Sequence, residues 1–282
     1  MQLNNPGAEI FVPDGTPVEQ ALARTTHLAV GAHQDDLEIM AYRGILECFQ
    51  REDKWFCGVN VTNGAGSPRD DLYKDYTDEM MQVVRRKEQK KAAVIGEYGA
   101  QIFLDYSSSA TKDGKNEAVK EDLKQVFLAT RPQIVYTHNL ADKHDTHVAV
   151  TLRVIAALRE LPDDAKPQQV LGCEVWRDLD WMVDSDKVLM DVSAHENLAA
   201  ALLGVFDSQI CGGKRYDLAT MGRRRAHATY AESHGVDVST SLIYAMDLTP
   251  LIKDASLDIA QYVQGFIDRF AQDVQSRIAK VR

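Results

Sequence analysis

Long apolar runs are missing from this chain of 282 residues. No stretch approaches the roughly 20 consecutive apolar residues that a membrane-spanning helix requires. The first residues, MQLNNPGAEIFVPDGTP, contain neither the basic region nor the apolar core of a secretory signal. We therefore expect no membrane span and a cytoplasmic location.

Cysteine is also scarce, with four residues scattered along the chain. None of them forms a C-x-x-C pair, so the sequence indicates neither a disulfide framework nor a cysteine-based metal site. Isolated thiols of this kind fit a reducing compartment. Internal repeats and low-complexity segments are absent as well.

Positively charged residues are fewer than negatively charged ones: the chain has 32 Lys and Arg residues and 42 Asp and Glu residues. The resulting net charge of −10 repels phosphate backbones, so we expect no nucleic-acid partner. Hydrophobic residues make up 45% of the chain, which is enough for a sizeable core. The length suits one large α/β domain.

Apolar segments alternate with amphipathic ones, which predicts a doubly wound, mostly parallel sheet flanked by helices. The predicted strands cover 27–32, 55–62, 101–104, 133–137, 170–175, 188–192 and 241–246. The predicted helices cover 17–23, 37–50, 77–98, 117–129, 144–158, 196–206, 216–234 and 254–280. No linker interrupts this pattern, so we predict one domain over 26–282 after a lead-in at 1–25 that is irregular over 1–15.

The first predicted sheet strand, 27–32, ends at one histidine and two adjacent carboxylates: His33, Asp35 and Asp36. They lie in a strand-to-helix loop at the carboxyl end of a strand, where open α/β sheets build binding sites. His and Asp ligate metals, and a spare Asp beside them can accept a proton. Taken alone, the segment favours the simpler interpretation, in which Asp36 is a helix N-cap and His33 is only a polar loop residue.

A second cluster, His144 to His147, opens another helix behind another strand. Loops that follow parallel strands emerge on the same edge of a sheet, so the two clusters can meet. Three protein ligands and one open position are typical of a catalytic zinc site, and His33, Asp36 and His147 can supply them. Asp35 is then free to act as the general base toward a metal-activated water.

His144 lies three residues before His147, on the same side of one helical turn. It is a fourth ligand, or only a polar residue at the helix N-terminus, or, in the assignment we prefer, a protonated group that stabilises the oxyanion of a tetrahedral intermediate. His138, at the end of the strand 133–137, either supports the ligands or only fills the sheet edge, and we favour the second.

The segment AHQDDLE at 32–38 resembles the AHPDD signature of the PIG-L / LmbE-like deacetylases. That family includes N-acetylglucosaminyl deacetylases of glycolipid and low-molecular-weight thiol biosynthesis. Further similar stretches give a resemblance from about residue 26 to about residue 246: VTNGAG at 61–66, RRKE at 85–88, HDTHVAV at 144–150 and SQ at 208–209.

This resemblance implies a Rossmann-like fold, a divalent ion that is usually zinc and alternatively Fe²⁺, and hydrolysis of an acetamido group on a glucosamine unit. It matches His33, Asp36 and His147 to the metal ligands, Asp35 to the general base and His144 to the stabilising histidine. The implied partner is a small amino-sugar conjugate. A homo-oligomer is possible, because relatives often assemble, but the sequence leaves the oligomeric state open.

Contacts to the sugar are the least determined part of the resemblance. One arginine of the pair Arg85 and Arg86 is a candidate, and the sequence does not choose between them. Gln34 replaces the family's proline; since proline fixes φ, this residue either loosens the loop or offers its amide to the substrate. Asn63, in the loop after the second predicted strand, is a further candidate.

Two other functions compete with deacetylation. The sequence also matches the 2-His-1-carboxylate triad of iron(II) oxygenases, with His33, Asp35 and His147 as the ligands. The alternation of strands and helices disfavours that class, for which we expect a strand-rich barrel. A non-catalytic sugar-binding relative is the other alternative, and Asp35 argues against it because binding alone needs no base.

Overall fold

A computed structural model describes all residues from 1 to 282. The strands are β1 (Glu9–Phe11), β2 (His27–Gly31), β3 (Phe56–Thr62), β4 (Ala100–Tyr106), β5 (Ile134–His138), β6 (Gln169–Cys173), β7 (Lys187–Asp191) and β8 (Leu242–Asp247). The α-helices are α1 (Val18–Ala23), α2 (Asp36–Met40), α3 (Tyr42–Cys48), α4 (Asp78–Ile95), α5 (Ser108–Lys112), α6 (Ala118–Thr130), α7 (Asp145–Arg159), α8 (Glu196–Gly204), α9 (Asp207–Ile210), α10 (Tyr216–Tyr230), α11 (Thr249–Lys253) and α12 (Ile259–Val281). No helix combines the length and the apolar composition needed to cross a bilayer.

All eight strands belong to one mixed sheet in the order β1-β4-β3-β2-β5-β6-β8-β7. The five strands from β4 to β6 in this order are parallel, whereas β1 and β8 pair antiparallel to them. This confirms the predicted helix-flanked α/β sheet. The carboxyl ends of the parallel strands share one edge, and the loops that follow them meet there.

The core lies on both faces of the sheet. Leu28 and Val30 of β2 pack on the face covered by α6 and α7, and Ala29 between them packs on the face covered by α2, α3 and α8. Side chains alternate along a strand, so burial on both faces explains why β2 reads as a continuous apolar run.

The lead-in is more ordered than we predicted. Within the segment expected to be irregular, residues 9–11 form β1 and pair antiparallel with β4. Glu9 attaches this strand to α4 through ion pairs with Arg86, at 3.1 Å, and with Lys90. A three-residue strand is too short to leave a clear pattern in the sequence.

The helix predicted over 37–50 is broken in two. Ala41 leaves the helical region at φ −112° and ψ 20°, which separates α2 from α3. The guanidinium of Arg224, from α10, donates hydrogen bonds to the carbonyl oxygens of Glu38 and Ile39 at 2.7 and 3.1 Å. These bonds satisfy acceptors that the end of α2 would otherwise leave free, so the break costs little.

Candidate active site

An open cavity of about 440 Å³ lies at the shared carboxyl edge of the parallel strands. Its floor is built from His33 and Asp35 in the loop between β2 and α2, from Asp36 at the first position of α2, and from His144 immediately before α7. The two clusters found in the sequence are therefore neighbours in space. They are brought together because β2 and β5 are adjacent parallel strands.

Three side chains, those of His33, Asp36 and His147, converge at this floor. His33 Nδ1 lies 3.2 Å from His147 Nε2. The Asp36 carboxylate completes the set, with its oxygens 3.3 Å from His33 Nδ1 and 3.5 Å from His147 Nε2. Bonds of 2.0–2.2 Å to one ion would set tetrahedral ligand atoms about 3.4 Å apart, so the spacing fits a zinc-sized divalent ion.

Short-range contacts hold the loop that carries these ligands. The His33 amide donates to Asp36 Oδ2 at 2.6 Å, and the His33 carbonyl accepts from Asn60 Nδ2 at 2.7 Å. Gly31 permits the close approach of α2 to β2, because a Cβ there would lie 3.0 Å from side-chain atoms of Asp36 and Leu37. The positions of His33 and Asp36 are thus set by β2, β3 and the first turn of α2.

His138 lies against the same cluster, 3.4 Å from Asp36 Oδ2, with its ring stacked on His147 at 3.8 Å. Its Nε2 accepts a hydrogen bond from the Ala32 amide at 2.9 Å. Because that lone pair is already engaged, His138 is suited to supporting the β2 loop rather than binding an ion.

Burial and charge favour the protonation states that metal binding requires. Burial lowers the pKa of His33 to about 4, so its imidazole is neutral at pH 7. Burial alone would raise the pKa of Asp36, but the imidazoles of His147 and His138 outweigh it and hold this pKa well below its ordinary value. A neutral imidazole and an ionised carboxylate are the ligand forms.

Asp35 differs from Asp36 in both backbone and surroundings. Its φ of 102° lies in the left-handed region that non-glycine residues rarely adopt, a strain typical of functional turns. Burial raises the pKa of Asp35 well above its ordinary value, although the Arg85 guanidinium, 3.8 Å away, opposes the rise. The turn thus directs the Asp36 carboxylate to the two histidines and the preceding carboxylate, that of Asp35, toward Arg85.

The two adjacent arginines of α4 point to different places. Arg85 is buried and lines the cavity, where it donates hydrogen bonds to the carbonyls of Gln34 at 2.7 Å and Gly64 at 3.2 Å. Arg86 lies outside the cavity and pairs with Glu9 and, at 2.5 Å, with Asp105. Of the two arginines, only Arg85 therefore faces the cavity.

Gln34 and Asn63, the other candidates for substrate contact, do not line the cavity. The Gln34 amide is buried and donates to the Thr62 carbonyl at 3.1 Å, which ties its loop to the end of β3. Asn63 Oδ1 accepts from the Ala65 amide at 3.3 Å, inside its own turn. Gln34 therefore fastens the loop by a hydrogen bond where the family's proline would stiffen it.

His144 reaches the cavity from the last position before α7, with its ring centroid 4.5 Å from that of His147 and 5.1 Å from that of His33. Its Nδ1 has no hydrogen-bond partner in the protein. Burial and the neighbouring His147 lower the pKa of His144. A lowered pKa favours the neutral imidazole, whereas the role predicted from sequence uses the protonated form, which stays a prediction.

Asp142 is a residue that sequence reasoning missed. Its carboxylate accepts hydrogen bonds from the amides of His144, at 2.9 Å, and Trp176, at 3.0 Å. The same carboxylate lies 3.6 Å from Nδ1 of His147, the ring nitrogen that points away from the ligand cluster. An aspartate two residues before a His-x-x-His helix was the available signal, because such a residue caps the turn that leads into the helix.

We expect Asp142→Asn to weaken metal affinity by 10- to 100-fold, because carboxylates behind a ligating histidine fix its orientation and raise its basicity. Isothermal titration with Zn²⁺ measures the affinity. Asp145→Asn, in the first turn of α7 and exposed, is the matched control and should leave the affinity unchanged. Equal affinities for the Asp142 variant and the wild type would show that His147 needs no such support.

One wall of the cavity is aromatic and basic. Trp176 follows β6 and lines the cavity with Lys214 and, on the side of α5, Lys112. The ammonium groups of Lys214 and Lys143 lie 5.4 and 5.9 Å from the centroid of the Trp176 ring. This wall offers a flat apolar surface beside positive charge, although the chain as a whole is acidic.

A comparison with protein families matches residues 28–158 to the model described as "PIG-L: GlcNAc-PI de-N-acetylase". These residues form a PIG-L family domain. The match begins in β2 and ends in α7, so it contains both histidine clusters and Arg85. A comparison with curated protein sequences gave no match.

Solved structures share the fold of this chain at low sequence identity. A conserved protein from Thermus thermophilus is 20% identical and aligns over 77% of this chain and 93% of its own, with a TM-score of 0.58. The N,N'-diacetylchitobiose deacetylase from Pyrococcus horikoshii is 16% identical over 78% of this chain and 83% of its own (TM-score 0.59). The 4-carboxy-2-hydroxymuconate hydratase from Pseudomonas putida is 15% identical over 80% and 97% (TM-score 0.58).

Proposed function

We propose that this protein is a metal-dependent hydrolase that removes the acetyl group from an N-acetylglucosamine-type conjugate. The observation that carries the proposal is the pairing of a convergent two-histidine, one-carboxylate cluster with a neighbouring carboxylate, Asp35, that stays outside it. The family match supports the acetamide substrate. The fold alone does not, since a hydratase shares it.

His33, Asp36 and His147 would hold the ion, which we propose to be Zn²⁺. When bound, a divalent ion supplies Lewis acidity that lowers the pKa of water toward neutrality. The carboxylate in this set is Asp36, whereas an iron(II) oxygenase triad built on Asp35 would need the residue that lies beside Arg85. The fold is also an open mixed sheet flanked by helices, whereas we expect a strand-rich barrel for that class.

Asp35 is the proposed general base and proton carrier. Its carboxylate takes a proton from the water that attacks the acetamide carbonyl and delivers it to the departing amine nitrogen. A carboxyl group with a raised pKa is suited to both halves of this transfer. The Arg85 guanidinium keeps the ionised form available, because its charge favours the carboxylate.

His144 is the proposed oxyanion partner. Its ring lines the cavity, and an N–H directed at the carbonyl oxygen would stabilise the negative charge that develops there. Because this help is needed mainly in the transition state, we propose that His144 affects turnover more than substrate binding.

An acetate-release assay over a panel of N-acetylglucosamine conjugates tests the proposal. Acetate should appear with a stoichiometric amine product, disappear after treatment with a chelator, and return with added Zn²⁺. Anaerobic protein with Fe²⁺ and an oxygen electrode provides the contrast. Oxygen consumption without acetate release would favour the oxygenase class instead.

The basic and aromatic wall should select the part of the substrate beyond the sugar. We expect Lys214→Glu to raise KM about 10-fold for conjugates that carry a phosphate or carboxylate, with little effect on kcat, because the wall binds ground state and transition state alike. A neutral N-acetylglucosaminide is the matched substrate control. Equal changes in KM for both substrates would remove the charge preference.

A further inference from the structure

The last helix, α12, leaves the body of the protein part-way along its length. Phe266 is its buried residue, Phe270 packs edge-on against Trp181, and Arg269 pairs with Asp186 at 2.5 Å. From position 271 to the end of the helix every residue except Asp273 is exposed. An isolated helical segment of this length is marginal in water, so its stability calls for a covering surface.

An apolar stripe begins at Ile267 and continues along this exposed part of α12 to Val281. Its members are Ile267, Phe270, Val274, Ile278 and Val281, which are exposed by 42%, 39%, 38%, 56% and 86%. They follow one another at intervals of three or four residues, which places them on one face of the helix. Such a face is typical of a helix that packs against a second helix.

We propose that a second copy of this chain covers the stripe, with the two α12 helices antiparallel about a two-fold axis at Val274. Symmetry about this position pairs Ile267 with Val281 and Phe270 with Ile278, and it places Val274 against itself. Every apolar residue of the stripe then meets another apolar residue. A surface that complements itself in this way is what a two-fold dimer requires.

Charges beside the stripe favour the antiparallel direction. Asp268 and Asp273 flank its first half, and Arg277, Lys280 and Arg282 lie along its second half. In the proposed register, Arg277 of the second copy is two residues away from the position directly opposite Asp273. Arg282 of the second copy is likewise two residues away from the position opposite Asp268. Two residues correspond to about 3 Å along the helix axis. A parallel pair would align like charges, which is unfavourable.

A groove between α7 and α12 continues the stripe into the body of the protein. It has a volume of about 740 Å³ and is lined mainly by apolar side chains, among them Leu152, Val263 and Ile267. The proposed register brings Val281 of the second copy to Ile267, at the mouth of this groove. An apolar side chain arriving there finds apolar contacts, which supports a second copy as the occupant.

Sedimentation velocity tests the dimer and is independent of the chemistry proposed above. We expect wild-type protein to show about twice the 31.5 kDa mass of the chain. Val274→Asp places two carboxylates face to face at the axis and should weaken association at least 100-fold, leaving a monomer. Ser276→Asp adds the same charge on the opposite face and should remain dimeric.

Crosslinking tests the register separately. Val274→Cys should form a disulfide between two copies under mild oxidation, because this position faces itself across the axis, whereas Ser276→Cys should not exceed the wild-type background. A monomeric wild type, or a dimer that both aspartate variants leave intact, would overturn the proposal. So would a wild-type monomer that sediments with phosphatidylglycerol vesicles, since α12 would then serve a membrane surface.

Discussion

Asp35→Asn is expected to lower turnover by two to four orders of magnitude while the protein keeps its metal and its fold. General bases contribute about 10²- to 10⁴-fold, and an amide cannot accept the proton. Asparagine has nearly the same shape and tolerates a positive φ, so the turn at φ 102° is preserved. Steady-state acetate release and metal content by mass spectrometry measure the two properties together.

Asp105→Asn is the matched control for this variant. Asp105 also has a positive φ, of 60°, and pairs with an arginine, but it lies outside the cavity. Its variant should keep turnover within about twofold of the wild type. If the Asp35 variant retained more than a tenth of the wild-type kcat, another group would have to accept the proton and the role assigned to Asp35 would be lost.

Removal of a metal ligand should have a different signature, in which metal and activity disappear together. Mutation of a residue that supports a ligating histidine lowers metal affinity 10- to 100-fold. Replacement of His147 itself should therefore lower the affinity more than 100-fold. His147→Ala, stripped with chelator and reloaded with one equivalent of Zn²⁺, should then retain little metal after dialysis. The wild type treated in parallel should hold one ion per chain.

His195→Ala provides the control for this experiment, because His195 is exposed and lies outside the cavity. It should bind metal and release acetate like the wild type. A His147 variant that still held a full equivalent of tightly bound metal would place the ion elsewhere. The combination of results separates the two roles: Asp35→Asn is inactive with metal, and His147→Ala is inactive without it.

The fold could be predicted from sequence wherever one element carries its own signal. The run from Leu28 to Val30 is buried on both faces of the sheet, so it reads as a parallel strand without knowledge of its neighbours. The break at Ala41 could not be predicted in this way. It depends on the guanidinium of Arg224, which arrives from a helix far along the chain.

The same distinction applies to the candidate site. His33, Asp35 and Asp36 lie within four consecutive residues at the junction of β2 and α2, and their residue types alone indicate metal and proton chemistry. The choice between Arg85 and Arg86 is different, because adjacent residues of a helix point about 100° apart. Which of them faces the cavity depends on how α4 packs against the sheet and on the ion pair that Arg86 makes with Glu9.

Short antiparallel strands terminate the sheet on both sides: β1 covers β4, and β7 covers β8. The parallel strands that carry the cavity therefore have no free backbone edge to offer. Uncovered edges invite strand addition by other chains, and brief outer strands suppress it. Association through continuous sheet formation is thus disfavoured, and contacts between molecules are left to side-chain surfaces that can be tuned residue by residue without disturbing the catalytic loops.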